Sequence, residues 1–238
     1  MTIKDGPLPG PWELIEGTDW VSLAHARGPA GDTRAALIEL LTGDPDAQAR
    51  ALRHLDDPVH HQNTLYSVTA PVALYIAVIL DDPRTATTLP GQREGGRHPL
   101  RAALLDWLGS VADEVGNHAV QTLERMGLSL EDHPESAAVQ ALRPALFQAV
   151  SAFLHDPDCA VRTAAVAAAV PLLDAPELAT HRPALAPLVR TVLSAGDNRH
   201  HRAAAARGLN AWGEDSDPGQ TTQDPDPWAG GCSSEPPF

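Results

Sequence analysis

The chain has 238 residues, long enough for one domain or two, and its 31 acidic residues against 17 basic ones give a net charge of −14. Six of those acids follow Gly213 without a Lys or Arg among them, so residues 1–212 carry −8. Nucleic-acid affinity rests mainly on cation–phosphate contacts, so this balance counts against a nucleic-acid partner. Two cysteines, Cys159 and Cys232, make no disulfide framework and suit a reducing compartment. No apolar stretch near the N-terminus reads as a signal peptide. The longest apolar run, "APVALYIAVIL" (70–80), is about half of the ~20 residues a bilayer needs. The expectation is a cytoplasmic protein with no membrane contact.

Residues 1–17 read as an irregular N-terminal segment, because "GPLPGP" (6–11) is almost entirely Pro and Gly. "TDWVSLAHARGP" (18–29) predicts a short helix, with Thr18 or Asp19 as cap, Gly28 at the C′ position and Pro29 as the stop. Trp20, Leu23 and Ala24 would share its buried face.

A repeat then governs the chain. "GDPDAQARALRHL" (43–55), "HDPDCAVRTAAVA" (155–167) and "AGDNRHHRAAAAR" (195–207) align without gaps, with Arg50, Arg162 and Arg202 in one slot. A fourth copy starts at "DDPRT" (81–85), is interrupted, and resumes at "PLRAALLDWLG" (99–109), with Arg101 in the arginine slot. The period is about 38–40 residues, with insertions at about 86–98 and 116–137.

In each copy an apolar helix ends and an Asp caps the next helix, followed in three copies by a Pro in the first turn. The caps expected are Asp44, Asp82 and Asp156; the last copy has Asp197 displaced by one and Asn198 in place of Pro. The second helix is Ala-rich on one stripe, as in Val161, Ala164, Ala165, Ala168 and Leu172. One hairpin cannot bury such a stripe, and stacking supplies the missing surface. Pro71, Pro144 and Pro187 fall 10–12 residues before the copies' Asp residues and predict a repeated bend, or a repeated restart with Pro in a first turn. Trp20, Trp107 and Trp212 are expected in the core, and Trp228 reads as a stray aromatic in the tail. Residues 213–238, acidic and rich in Pro and Gly, are expected to be a disordered tail.

The motif Asp156-Pro157-Asp158-Cys159-Ala160-Val161-Arg162 before an Ala-rich helix resembles the second helix of HEAT repeats. "DWVSLAHARGPAGD" (19–32) and "HQNTLYSVTAPVALYIAVILDDP" (61–83) make residues 19–212 similar to a group of small actinobacterial HEAT-repeat proteins, some of which sit in toxin-neutralising systems. The resemblance implies an all-α solenoid of about four hairpins over 18–212. It further implies a structural ladder between neighbouring repeats, built from Asp44, Asp82 and Asp156 with Arg50, Arg101, Arg162 and Arg202.

No catalytic motif, metal site or cofactor site is expected. The His pairs in "VHHQ" (59–62) and "GDNRHHR" (196–202) point in different directions on a helix, and neither cysteine lies at ligand spacing. Cys159 near a helix start reads as a packing residue, and "GQREGG" (91–96) lacks the Lys-Ser/Thr of a phosphate loop. In "HHQNTLYSVTAP" (60–71), Asn63, Thr64 and Thr69 read as helix-start residues. His61, Gln62 and Tyr66 have no counterpart in the other copies and are the candidate partner-binding residues.

The function expected is a non-enzymatic protein-binding module with a curved helical surface, suited by its charge to a basic protein partner. Toxin neutralisation would be one instance. The alternatives are a HEAT-like enzyme acting on nucleic acid, of the kind that excises damaged bases, and a purely structural scaffold. Oligomeric state is not readable from these residues.

Overall fold

The computed structural model describes residues 8–89 and 98–214. The expected tail, from 215 on, and the middle of the 86–98 insertion lie outside them. The described chain is mostly helical, with two short antiparallel strand pairs. Among the described residues no helix is long and apolar enough to cross a membrane.

The first helix differs from expectation. α1 spans Pro11–Gly17, inside the segment read as irregular. Pro11 takes the first turn, where its missing N–H costs nothing, and Glu13 Oε2 accepts from the Gly10 N–H at 3.3 Å. Leu14 and Ile15 then face the core. Residues 18–29 are not a helix. After turns they form a hairpin of β1 (Ala24–His25) and β2 (Gly28–Pro29), with Gly28 at φ +120°. Tertiary partners outcompete the local helix signal. Ala24 donates to Ser67 Oγ, Val68 donates to the Ala24 carbonyl, and Ala26 donates to the Pro58 carbonyl. Trp20 is buried and donates to the Ile15 carbonyl at 2.9 Å.

The rest is a run of helical pairs. α2 (Thr33–Glu39) pairs with α3 (Pro45–His54), and α4 (Thr69–Ile79) with α5 (Leu100–Asp113). β3 (Thr88–Leu89) and β4 (His98–Pro99) close the loop before α5. α6 (Asn117–Arg125) occupies the second insertion. α7 (Pro134–Ser151) then pairs with α8 (Cys159–Leu172), and α9 (Arg182–Ala195) with α10 (Arg199–Ala211). The second helix of each pair meets the next: α3 touches α5, α5 lies against α8, and α8 against α10, while α4 packs on α7. Close approach depends on small residues. A Cβ on Gly109 would sit 2.9 Å from the Ala168 Cα, and one on Gly208 would sit 2.4 Å from Val170 Cγ1. One apolar core runs from Leu14 to Leu209. Polar ties cross it: Tyr75 donates to the Leu37 carbonyl at 3.1 Å, and Trp107 Nε1 to the Leu55 carbonyl at 3.1 Å. Trp212 is only half-buried.

The capping chemistry follows the repeat with two shifts, in the third and the last copies. Asp44 caps α3 by accepting from Asp46 N, with Pro45 in the first turn. Asp82 accepts from Arg84 N at the start of the 3₁₀ turn Pro83–Ala86. Asn198 caps α10. In the third copy the cap of α8 is Asp158, whose Oδ1 accepts from Ala160 and Val161. The Asp156 carboxylate instead accepts from Asp158 N, so it shapes the turn and moves the helix start to Cys159.

The hydrogen bonds of the slot arginines stay within their own copies, and Arg101 also reaches the next one, its guanidinium lying 5.0 Å from the centroid of the Phe153 ring. Arg162 Nη1 reaches the Asp156 carbonyl at 2.5 Å, Arg202 Nη1 the Gly196 carbonyl at 2.8 Å, and Arg101 Nε the Leu80 carbonyl at 2.7 Å. Each closes the turn of its own pair on a carbonyl that lies after the regular part of the first helix. Arg50 pairs with Glu39 of α2 at 3.3 Å. Pro71 lies in the first turn of α4, a restart, whereas Pro144 and Pro187 sit inside α7 and α9.

Candidate functional site

Chain direction changes sharply between α3 and α4. A π-helical turn, Leu55–Val59, contains Pro58 and leads to a 3₁₀ turn, His61–Asn63. Gln62 and Asn63 both have left-handed backbone, at φ +49° and +58°. Two such residues without glycine cost on the order of 1–3 kcal/mol each, and strain of this kind concentrates at functional sites.

The strain separates the candidate residues. His61 is half-exposed, with Nδ1 3.4 Å from Asp57 Oδ1, and Gln62 is exposed. Tyr66 packs half-buried against the core. Thr69 is the first residue of α4; its hydroxyl accepts from Tyr66 N and donates to the Val59 carbonyl. His60 lies edge-on to Trp107 with ring centroids 6.0 Å apart, its Nε2 buried without a partner; burial pushes the ring down to about 4. The residue of this stretch that reaches a groove is Asn63, which the sequence suggested as a cap.

That groove, about 430 Å³, lies over the second helices. Its floor is Gly109 with Ala167, Ala168 and Pro171 of α8, which are too small to fill it. One wall is the face of α5 bearing Asp106, Ser110, Asp113 and Glu114, spaced at one and two helical turns. The other is α10, with Asn198, His200, His201 and Arg207. Two ion pairs cross between the walls. His201 Nε2 donates to Asp106 Oδ1 at 2.7 Å, and Arg207 Nη2 donates to Asp113 Oδ2 at 2.7 Å.

Several polar groups of the groove have no use in the fold. His201 Nδ1 is buried and unpartnered. Glu114 lines the groove with no side-chain hydrogen bond or ion pair among the described residues. Its carboxyl is pushed up to about 7, first by burial and then by the neighbouring Asp113 charge. Asp113 and Glu114 also sit at the C-terminal end of α5, where the helix dipole disfavours negative charge. Single-sequence reading missed these residues because α5 and α10 lie far apart in the chain. Two adjacent acids ending a predicted helix were the available signal.

A second cluster gathers His25 of β1, Asp32 before α2 and His54 of α3, with potential ligand atoms within 4.8 Å of one another. Its hydrogen bonds decide its role. His25 Nδ1 accepts from Arg27 N at 3.1 Å, so Nε2 carries the proton and donates to Asp32 Oδ1 at 2.9 Å. A metal on Nε2 would have to displace that proton. His54 Nε2 shares a hydrogen bond with Thr33 Oγ1 at 3.0 Å, and burial lowers its pKa. Burial works to raise the Asp32 carboxyl, but the His25 hydrogen bond and the nearby His54 outweigh it and leave it lowered. The cluster is a polar joint that fastens the hairpin to α2 and α3.

A further depression, of about 580 Å³, lies between α4 and α7 and is lined mainly by apolar groups such as Val78, Leu80 and Phe153. Cys159 is exposed and free.

No family model matches the chain, no curated protein matches it, and no solved structure matches it.

Proposed function

We propose that the chain is a HEAT-like α-solenoid acting as a non-enzymatic binding module, with the groove over α5, α8 and α10 as the face that holds a protein partner. The observation that carries this is the set of groove side chains the fold leaves unused. Glu114, Ser110 and Asn63 line the groove without side-chain hydrogen bonds among the described residues, beside a buried His201 nitrogen that lacks a partner. A buried unpaired nitrogen such as His201 Nδ1 costs stability, and its persistence beside polar groups that the packing does not use favours a role outside the fold. In-order contact of the second helices supports the stacked arrangement that builds such faces. The groove sets three acids against one arginine, an excess of negative charge that favours a protein over a nucleic acid. A basic partner fits the net charge of −14, and a toxin neutralised by this chain would be one case.

The test is site-specific photo-crosslinking in the source cells. A benzophenone amino acid at position 110, in the groove, is compared with one at 148, in the apolar depression on the other layer. One discrete adduct from 110 and none from 148 is expected. Adducts from 148 alone would move the interface to the α4–α7 layer.

A further inference from the structure

The groove contains three carboxyl groups, and the structure treats them differently. Asp106 has His201, and Asp113 has Arg207. Glu114 has no partner, although it is only half-exposed and lines the same cavity. It occupies the C-cap of α5, one residue beyond Asp113. The helix places its partial negative charge there, so a cation at this spot meets two favourable fields, the carboxylate and the dipole.

We propose, building on the groove as the interface, that Glu114 is the counter-ion for an arginine side chain of the partner, and that docking releases a proton from Glu114. The groove suits a guanidinium group. Its floor of Gly109, Ala167, Ala168 and Pro171 offers apolar surface for the methylene stem, and Ser110 and Asn63 offer uncommitted oxygen acceptors for the remaining N–H groups. Arg207 does not block the site, because Asp113 already neutralises it.

The proton balance follows from the surroundings. The titratable and charged groups that line the groove with Glu114 are Asp106 and Asp113 on its own helix and His200, His201 and Arg207 on α10. Beyond the groove, Asp174 after α8 accepts from Asn117 N, and Arg143 of α7 donates to the Val115 carbonyl. Burial and the Asp113 charge hold the empty-site carboxyl near 7, so it is mixed in charge at neutral pH. A bound guanidinium favours the ionised form, and the proton leaves to solvent. Affinity therefore rises with pH. If only ionised Glu114 binds, the change from pH 6 to pH 8 is about tenfold.

The experiment uses the full-length ¹⁵N-labelled chain and two probes, the tripeptide amide acetyl-Gly-Arg-Gly and its counterpart with citrulline, an uncharged isostere. Amide shifts report the site and the affinity. The expected result is that the arginine peptide moves resonances around Ser110, Ala167 and Arg207 and binds about tenfold tighter at pH 8 than at pH 6. The citrulline peptide should not bind measurably. Glu114→Gln, with Glu114→Ala as a second variant, should abolish the pH dependence, and His200→Gln should retain it, which separates Glu114 from imidazole titration. Equal binding of the two peptides would overturn the proposal by showing a neutral hydrogen-bond site. So would pH-independent binding, or an unchanged pH dependence in Glu114→Gln. If the arginine peptide does not bind while position 110 still crosslinks a partner, the counter-ion falls and the groove interface stands. If both fail, both fall.

Discussion

Two clusters of histidines and acids sit on this chain, and they are built on opposite terms. In the first, His25, Asp32 and His54 engage one another, a backbone N–H and Thr33, and the cluster joins a hairpin to two helices. In the second, over α5 and α10, two ion pairs form, yet Glu114 and His201 Nδ1 are left without partners inside a cavity. Residue type does not separate the two; satisfaction does. A completed network stabilises a fold, and the incomplete one lining a cavity is the observation behind the proposed binding role.

His60 sharpens the rule, since it has an unpartnered nitrogen but packs on Trp107 and does not line the groove. It is a stability liability. Its folded-state value near 4 lies below the ordinary 6.5, so the unfolded chain takes up the proton first. Stability should be complete above pH 6.5 and fall by roughly 3 kcal/mol as the pH drops to 4. His60→Phe should flatten that slope in urea melts; an unchanged slope would assign the acid sensitivity elsewhere.

The next effect tests the joint. His25→Ala strips the Arg27 N–H of its acceptor and Asp32 of its donor, and should cost about 2 kcal/mol while leaving the position-110 crosslink intact. A lost crosslink with unchanged stability would reverse the roles of the two clusters.

Capping gives a smaller effect. Asp158→Ala should cost about 1 kcal/mol, and Asp156→Ala less, because Asp158 accepts from two N–H groups of α8 and Asp156 from one in the turn. The reverse order in thermal melts would restore Asp156 as the cap.

Much of the helical part was legible because its signals are local. Asp44-Pro45 announces a helix start through chemistry within three residues. The shift from Asp156 to Asp158 was not legible, since the motif offers two acids and only backbone geometry chooses between them. The strand pair at 24–29 was hidden for another reason. Its partners, Ser67, Val68 and Pro58, come from a turn about 30–45 residues later, and they override a sequence with ordinary helix signals. The candidate site was the least legible. His61, Gln62 and Tyr66 stood out because the repeat did not need them, whereas the groove draws on Asp106, Glu114 and Arg207, which look like ordinary surface residues of repeat helices.

The smallest expected effect is in the groove itself, because water screens the half-exposed Glu114 as it does not screen the buried His60. The Glu114 value near 7 lies above the ordinary 4.5, so the unfolded chain loses the proton first. Its contribution is complete below pH 4.5 and lost as pH rises through 7, the opposite sign to His60. Glu114→Gln should therefore melt like the wild type at pH 5 and slightly higher at pH 8. A variant that melts lower at pH 8 would mean that Glu114 holds the fold together.

The central claim is that the groove over α5, α8 and α10 serves a partner and not the fold. Ala203 lines it and is exposed, so Ala203→Trp fills the groove without touching the core. The decisive measurement is the crosslink yield from position 110 in this variant, with its melting temperature as the control. The account predicts an unchanged melt and a lost adduct. An adduct that survives at full yield in a folded Ala203→Trp chain would contradict it.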